Sequence, residues 1–274
     1  MQVIITRPTE DAGAWLARLT ACADWQREWQ PRLWPLIDIG PNPLHGTAHS
    51  APGRIDAAMF VSANAVRFFE PAQGDSPWRH AVLWHEGAQA WAVGPSTRDA
   101  LRSAGWPDAA IVAPDGAGGE PFDSEALWRR VEPALQAAGV RRVLVVRGTD
   151  EDADGRPVGR DWLAQRLRDC GVAVVDVAVY QRARPVWTRA QQAAAGAALG
   201  DGSVWLISSS MAAQQLRELL PGAAAPRAFA RARAVATHAR IAQRLGELGW
   251  GTVVLSHPQP QAVAASIKSL TYAR

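Results

Sequence analysis

The stretch WAVGPSTRDALRSAGW, residues 91–106, is the one on which the fold reading turns. An apolar run, WAV, stops at Gly94-Pro95, and a helix pattern follows at once and closes at Gly105-Trp106. Gly-Pro punctuates a strand. Ser96 with Asp99 three residues on fits a capping box, so Ser96 and Thr97 are expected to open the helix. Gly105 suits the left-handed position after a helix. N–H groups in a helix's first turn have no intrahelical partner, so a turn of this kind can hold an anion. The stretch carries neither G-x-G-x-x-G nor a P-loop lysine, which argues against an ordinary nucleotide.

A second copy of the pattern, RAVATHARIAQRLGELGW, lies at 233–250, with Gly249-Trp250 in the place of Gly105-Trp106. Ile241, Ala242, Leu245 and Leu248 recur there at helical spacing and are expected to be buried. Working outward, two further units are also written twice. VIITRPTEDAGAWLARLTAC (3–22) matches VLVVRGTDEDADGRPVGRDWLAQRLRDC (143–170). In each, a strand leads through Arg7 or Arg147 into a helix with a Trp-Leu pair, Trp15-Leu16 or Trp162-Leu163. A strand candidate follows each helix, LWPLIDI (33–39) and VAVVDVAVYQR (172–182). AAMFVSANAVRFF (57–69) matches SVWLISSSMAAQQL (203–216), the strands ending at Ser62 and Ser208. Strands alternating with amphipathic helices imply parallel sheets covered on both faces. The order of units suggests a tandem boundary near 132–142, and periodicity does not exclude an exchange of units between domains.

Composition narrows the function classes. The chain has 274 residues, 48% of them hydrophobic, enough for two domains with real cores. The formal charge is +3, without a Lys/Arg run, so nucleic acid is not an expected partner. The start, MQVIITRPTEDAG, lacks the basic and apolar regions of a secretory signal, and no apolar run reaches membrane-spanning length. Cys22 and Cys170, the two cysteines, are expected to be buried free thiols of a reducing cytoplasm.

VIITRP, FVSANAV, AVGPSTRDAL, VLVVRG, VAVYQR, WLISSS and the final THARIAQRLGELGW with VVLS, in that order, resemble the uroporphyrinogen-III synthase family over nearly the whole chain. The resemblance implies an α/β fold of two similar domains, each a parallel five-stranded sheet flanked by helices, joined by a two-stranded ladder. Residues 1–38 with 180–274 would form domain one and 40–178 domain two, with ladder strands at about 35–39 and 177–182. The cleft between them would be lined by the C-terminal ends of both sheets, where open α/β sheets place ligands. The implied activity is a cofactor-free cyclisation in haem biosynthesis. Hydroxymethylbilane, a linear tetrapyrrole fringed with carboxylates, loses water and closes with its last ring inverted, giving uroporphyrinogen III. A cytoplasmic monomer is expected, without membrane or nucleic-acid partners and with transient contact to the enzyme that makes hydroxymethylbilane.

The substrate's carboxylates give the helix-start amides something to hold. The candidate binding positions are Ser62, Ala63 and Asn64; Gly94, Pro95, Ser96 and Thr97; Ser208, Ser209, Ser210 and Met211; and Thr237 with His238. Ser62, Ser96, Ser208 and Thr237 read equally as helix caps. Arg7, and Arg147 with Gly148, follow the first strand of each first unit, where a guanidinium could fork onto a carboxylate or pair at a helix end. Tyr180, in the VYQR stretch, is the candidate proton donor to the departing hydroxyl, and a packed ladder tyrosine is the alternative. Ala236-Thr237-His238 departs from the Gly-Pro-like turn common in the family. His45, His49, His80, His85 and His257 show no metal-ligand spacing, so no metal is expected. PDGAGGEP (114–121) and the acid run Asp150–Asp154 read as loops. The competing functions are a non-catalytic two-domain binding protein for an anionic small molecule and a nucleotide-dependent α/β enzyme, the latter disfavoured by the missing fingerprints.

Overall fold

The computed structural model describes residues 1–42, 54–69, 87–115, 122–137, 139–151, 153, 161–220, 222 and 227–272. His45, His49, His80, His85, Asp152, Asp154 and most of the PDGAGGEP stretch lie outside them. The chain divides into two compact units, Met1–Ile39 with Ala183–Arg274, and Gly40–Arg182.

In the first unit the strands are β1 (Gln2–Ile5), β2 (Gln30–Leu33), β9 (Val204–Ile207), β10 (Arg233–Ala236) and β11 (Thr252–Leu255). They run parallel in the order β11-β10-β9-β1-β2. Successive side chains of a strand face opposite ways, and the core divides accordingly. Ile4, Trp205, Ile207, Ala234 and Ala236 pack on one side, under α6 (Arg189–Ala198), α7 (Ser210–Leu219) and α8 (Ala239–Glu247). Val3, Ile5, Val204, Leu206 and Val235 pack on the other, under α1 (Thr9–Thr20) and α9 (Pro260–Tyr272). Ile241, Leu245 and Leu248 are buried and Ala242 packs against them, as their spacing predicts.

In the second unit β4 (Ala57–Phe60), β5 (Gln89–Ala92), β6 (Ile111–Val112), β7 (Arg142–Asp150) and β8 (Ala173–Ala183) pair in parallel in the order β8-β7-β4-β5-β6. A sixth strand, β3 (Asp38–Pro41), lies on β8 at the sheet's edge. It occupies 38–41 rather than 35–39, and LWPLIDI is not one strand: β2 ends at Leu33. The reason is packing. Leu36 and Ile37 are buried in the first unit's core, and Trp34 sits against Trp187 and Trp205, so this segment is drawn off the sheet.

One face of the second sheet carries Met59, Trp91, Val143 and Val145 against α4 (Ser124–Ala137) and α5 (Trp162–Asp169). The other carries Phe60, whose ring meets Phe69 of α2 (Ala63–Phe69) and Trp106, which follows α3 (Pro95–Ser103). Gly105 and Gly249 take φ of +88° and +83°, the left-handed conformation their helix ends require. The thiols are free, but Cys22 is half-buried and Cys170 exposed, which corrects the expectation that both are buried. Each stands just past the end of a helix, between exposed neighbours. Among the described residues no helix is long and apolar enough to cross a membrane, and no three His, Cys, Asp or Glu side chains gather as metal ligands.

Candidate active site

Both sheets change direction of build at an inner pair of strands. In the first unit the chain goes from β1 to β2, then returns to the other side of β1 with β9. In the second it goes from β4 through β5 to β6, then returns to the other side of β4 with β7. Such switch points open a crevice at the strands' C-terminal ends. Candidate residues sit at both. Arg7 follows β1 and Ser208 follows β9, while Ser62 follows β4 and Gly148 lies on β7.

The second unit joins three candidates into one cluster. Ser62 Oγ accepts the Ala65 N–H at 3.1 Å, capping α2, and lies 3.2 Å from Tyr180 OH. That separation is long for an O–H···O bond. Tyr180 is 5% exposed. Its ring stands over Gly148, its register partner on β7, and beside Phe68, with centroids 6.0 Å apart. A Cβ on Gly148 would overlap ring atoms Cε2 and Cζ and lie 2.9 Å from Cδ2. The register explains the placement. Arg147 pairs with Ala178 but Gly148 with Tyr180, so Val179 is an extra residue bulging from β8. Asn42 holds the bulge from its other edge: its N–H donates to Val179 O at 3.1 Å and its Nδ2 to Ala178 O at 2.8 Å. Asn42 and Phe68 were invisible to sequence reasoning. Asn42 sits in GPNPL, which reads as loop, and its side chain's partner Ala178 is 136 residues away.

Arg147 points elsewhere. It is 4% exposed and lies on the α4/α5 face with Val145, two residues before it, whereas Gly148 lies on the face of Tyr180. Arg147 Nη2 stands 2.9 Å from Asp176 Oδ1 and 3.4 Å from Asp161 Oδ1. Arg168 reaches the same two carboxylates at 3.0 and 3.1 Å. Burial pushes the Asp176 carboxyl above its ordinary value. Arg147 and Arg168 pull against that, and Asp161 adds to it. Arg182 pairs across the ladder with Asp150 at 2.7 Å.

The remaining turns cap differently from expectation. Gly94, not Ser96, is the N-cap of α3, with extended backbone and no side-chain cap, because Pro95 is preorganised for the first helical position. Thr97 is buried and its N–H returns to Gly94 O at 3.1 Å, Ser96 is exposed, and Pro95 has no N–H to offer. Ala63 opens α2, and Asn64 Oδ1 accepts from Arg67 at 2.9 Å.

In the first unit Ser209, not Ser208, caps α7, accepting from Ala212 N–H at 3.5 Å. Ser208 is half-buried, as are Ser210 and Met211 at the start of α7. Ser210 Oγ is buried with no hydrogen-bond partner among the described residues. Thr237 N–H is taken up by Ile207 O at 3.3 Å, and His238 Nδ1 caps α8 by accepting Arg240 N–H at 3.1 Å. Thr6 ties β1 to β9 through its hydroxyl and Leu206 O, at 2.7 Å. Arg7 lies over the Trp15 ring, 4.9 Å from its centroid. Arg7, Ser208 and Thr237 thus follow the ends of neighbouring strands, as Ser62 and Gly94 do in the other unit, where Gly148 lies within β7.

A family model described as uroporphyrinogen-III synthase HemD matches residues 24–265. The chain belongs to the uroporphyrinogen-III synthase family. The family's fold is shared by solved structures. A uroporphyrinogen-III synthetase from Helicobacter pylori is 15% identical, with 99% of each chain covered and a TM-score of 0.58. A mutant uroporphyrinogen III synthase from the extremely thermophilic bacterium Thermus thermophilus is 18% identical, with all of each chain covered and a TM-score of 0.54. No curated protein matches in sequence. At these identities the family's architecture carries over, and side-chain roles rest on the geometry described above.

Proposed function

We propose that the chain closes hydroxymethylbilane to uroporphyrinogen III, with Tyr180 as the proton donor to the departing hydroxyl. Family membership carries the activity. The single observation that favours Tyr180 is its placement: a phenol fixed at the C-terminal edge of the second sheet, beside the β4/β7 switch point and 3.2 Å from a second hydroxyl. Proton transfer to the hydroxyl lets the C–O bond break as water leaves, and the first ring becomes an azafulvene cation. The substituted carbon of the last ring attacks it, and the spiro product fragments and recloses with that ring inverted. The last ring's free carbon then loses one proton, which restores the phenol. Control of isomer is an orientation task, because the unguided chain closes at its free end.

The turns at Ser62–Asn64, Gly94–Thr97, Ser208–Met211 and Thr237–His238 are read as the carboxylate contacts, mainly through first-turn amides. Thr237 contributes its side chain rather than its N–H, which Ile207 occupies, and the Thr97 N–H is likewise taken up by Gly94 O. Arg7 remains in this set. Arg147 leaves it, since its guanidinium is engaged by Asp176 and Asp161. A substrate that closes spontaneously favours short transit, which supports transient contact with the enzyme supplying it and work in the same, cytoplasmic, compartment. Tyr180→Phe tests the assignment. Turnover is expected to fall about a hundredfold while the melting curve holds, and a folded Phe variant at wild-type rate removes Tyr180 from the mechanism.

A further inference from the structure

We propose that Ser62 and Gly148 are positioning residues for Tyr180: the Ser62 hydroxyl is the phenol's hydrogen-bond partner, and Gly148 is the gap in β7 that lets the ring reach it. The proposal rests on the reading of Tyr180 as proton donor, and it takes Ser62 away from the carboxylate-binding set. Ser62 Oγ already accepts the Ala65 N–H, which leaves it one hydrogen to give and one lone pair to receive with. Before reaction Tyr180 can direct its proton to the substrate hydroxyl while accepting from Ser62. Once that proton leaves with the departing water, the phenol oxygen carries negative charge and only accepts. Ser62 O–H is then a donor already aimed at it, fixed from behind by the α2 cap. Hydrogen bonds to charged groups are the stronger kind, so the contact grows as the C–O bond breaks, which is what accelerates a step rather than tightening binding. The last ring's proton returns to the phenolate and resets the pair.

Gly148 makes this geometry possible. Any side chain there would overlap the Tyr180 ring at Cε2 and Cζ. The β8 bulge held by Asn42 brings Tyr180 opposite Gly148, and Phe68 lies beside the ring. The ring is thus set by bare backbone on one side and an aromatic neighbour on another, and its hydroxyl by Ser62.

The test compares residues that cap a helix about equally well but differ in hydroxyl. Gly and Thr are such a pair, so Ser62→Gly and Ser62→Thr match in their effect on α2. Formation of type III product is followed at steady state for both, for Tyr180→Phe, and for Ser62→Gly with Tyr180→Phe. Ser62→Gly is expected to lower kcat about tenfold or more, with KM within about twofold, and Ser62→Thr to recover most of the turnover. On the Tyr180→Phe background Ser62→Gly is expected to cost nothing further, because the two act as one unit. Gly148→Ala should lower kcat as well; if it fails to fold, the Ser62 pair decides. A Ser62→Gly loss confined to KM overturns the proposal, as does a Thr variant as slow as Gly, or losses that multiply in the double variant. These failures are distinct from those of the underlying reading, in which Tyr180→Phe keeps wild-type rate or the wild type yields no type III product; either of those removes this proposal too.

Discussion

Arg147 is the residue whose two sequence readings, substrate ligand or ion pair, make opposite predictions. As a substrate ligand its loss would raise KM and leave stability alone. The structure instead places it under α5, 4% exposed, against Asp176 and Asp161. Arg147→Met keeps a long apolar stem and removes the cation. Deleting one partner of a buried pair costs about 3–5 kcal/mol, because the other charge is left behind. Asp176 keeps Arg168 at 3.0 Å and its side chain is 22% exposed, so the low end, about 3 kcal/mol, applies here. At roughly 2–4 °C per kcal/mol for a chain of this class, the melting temperature should fall by about 6–12 °C. Arg147→Met with Asp176→Leu should recover most of that, since apolar pairs replace buried ion pairs well. Circular dichroism melts give the first number and initial rates against hydroxymethylbilane give KM. An Arg147→Met variant that melts with the wild type while KM rises about tenfold would refute the reasoning.

Further outcomes follow from the same forces. Asp56 accepts the Arg141 and Arg142 N–H groups at 2.8 and 3.0 Å. Burial pushes its carboxyl up, but these bonds and Arg54 outweigh it and hold the value below the usual range. Its stabilisation is therefore present above the unfolded value and lost as pH falls through the folded one. Asp56→Asn should cost about 1.5 kcal/mol at neutral pH and flatten the loss of stability below about pH 4 in denaturant titrations. Asp176 has the opposite sign. Its raised value means the folded state holds the proton longer, so its share of stability declines as pH rises from the unfolded value through the folded one. Asp176→Asn should remove that decline, and a slope unchanged from wild type would contradict the assignment. Gly251→Ala would drive a Cβ into the Ala230 carbonyl, a backbone group that cannot swing away. It should destabilise by about 1–3 kcal/mol in urea titrations.

The alternation of strands and helices was legible because it is local: apolar runs, Gly-Pro breaks and helical spacing report neighbours within a few residues. The buried stripes of α8 and the left-handed glycines after α3 and α8 were read for the same reason. Caps were legible only to within a residue. A hydroxyl near a helix start is easy to see, but the backbone angles choose which residue caps, so Ser62 caps α2 while Gly94, Ser209 and His238 take the places expected of Ser96, Ser208 and Thr237. The strand expected at 33–39 failed because its apolar residues serve the core rather than a sheet. What sets the site was not legible at all. The β8 bulge, its tether to Asn42 and the gap at Gly148 depend on pairings far apart in the chain. The choice between ligand and ion pair for Arg147 stayed open in the sequence because Asp161 and Asp176, its partners, are brought to it only by the packing of α5 and β8.

At the centre stands the direction of ring closure: this chain brings an open tetrapyrrole to close with its last ring turned over. Purified protein mixed with freshly prepared hydroxymethylbilane, followed by oxidation and chromatographic separation of the porphyrin isomers, tests it directly. Type III should be the dominant isomer, formed faster than closure without protein. Type I alone, at the rate of the uncatalysed control, would contradict it.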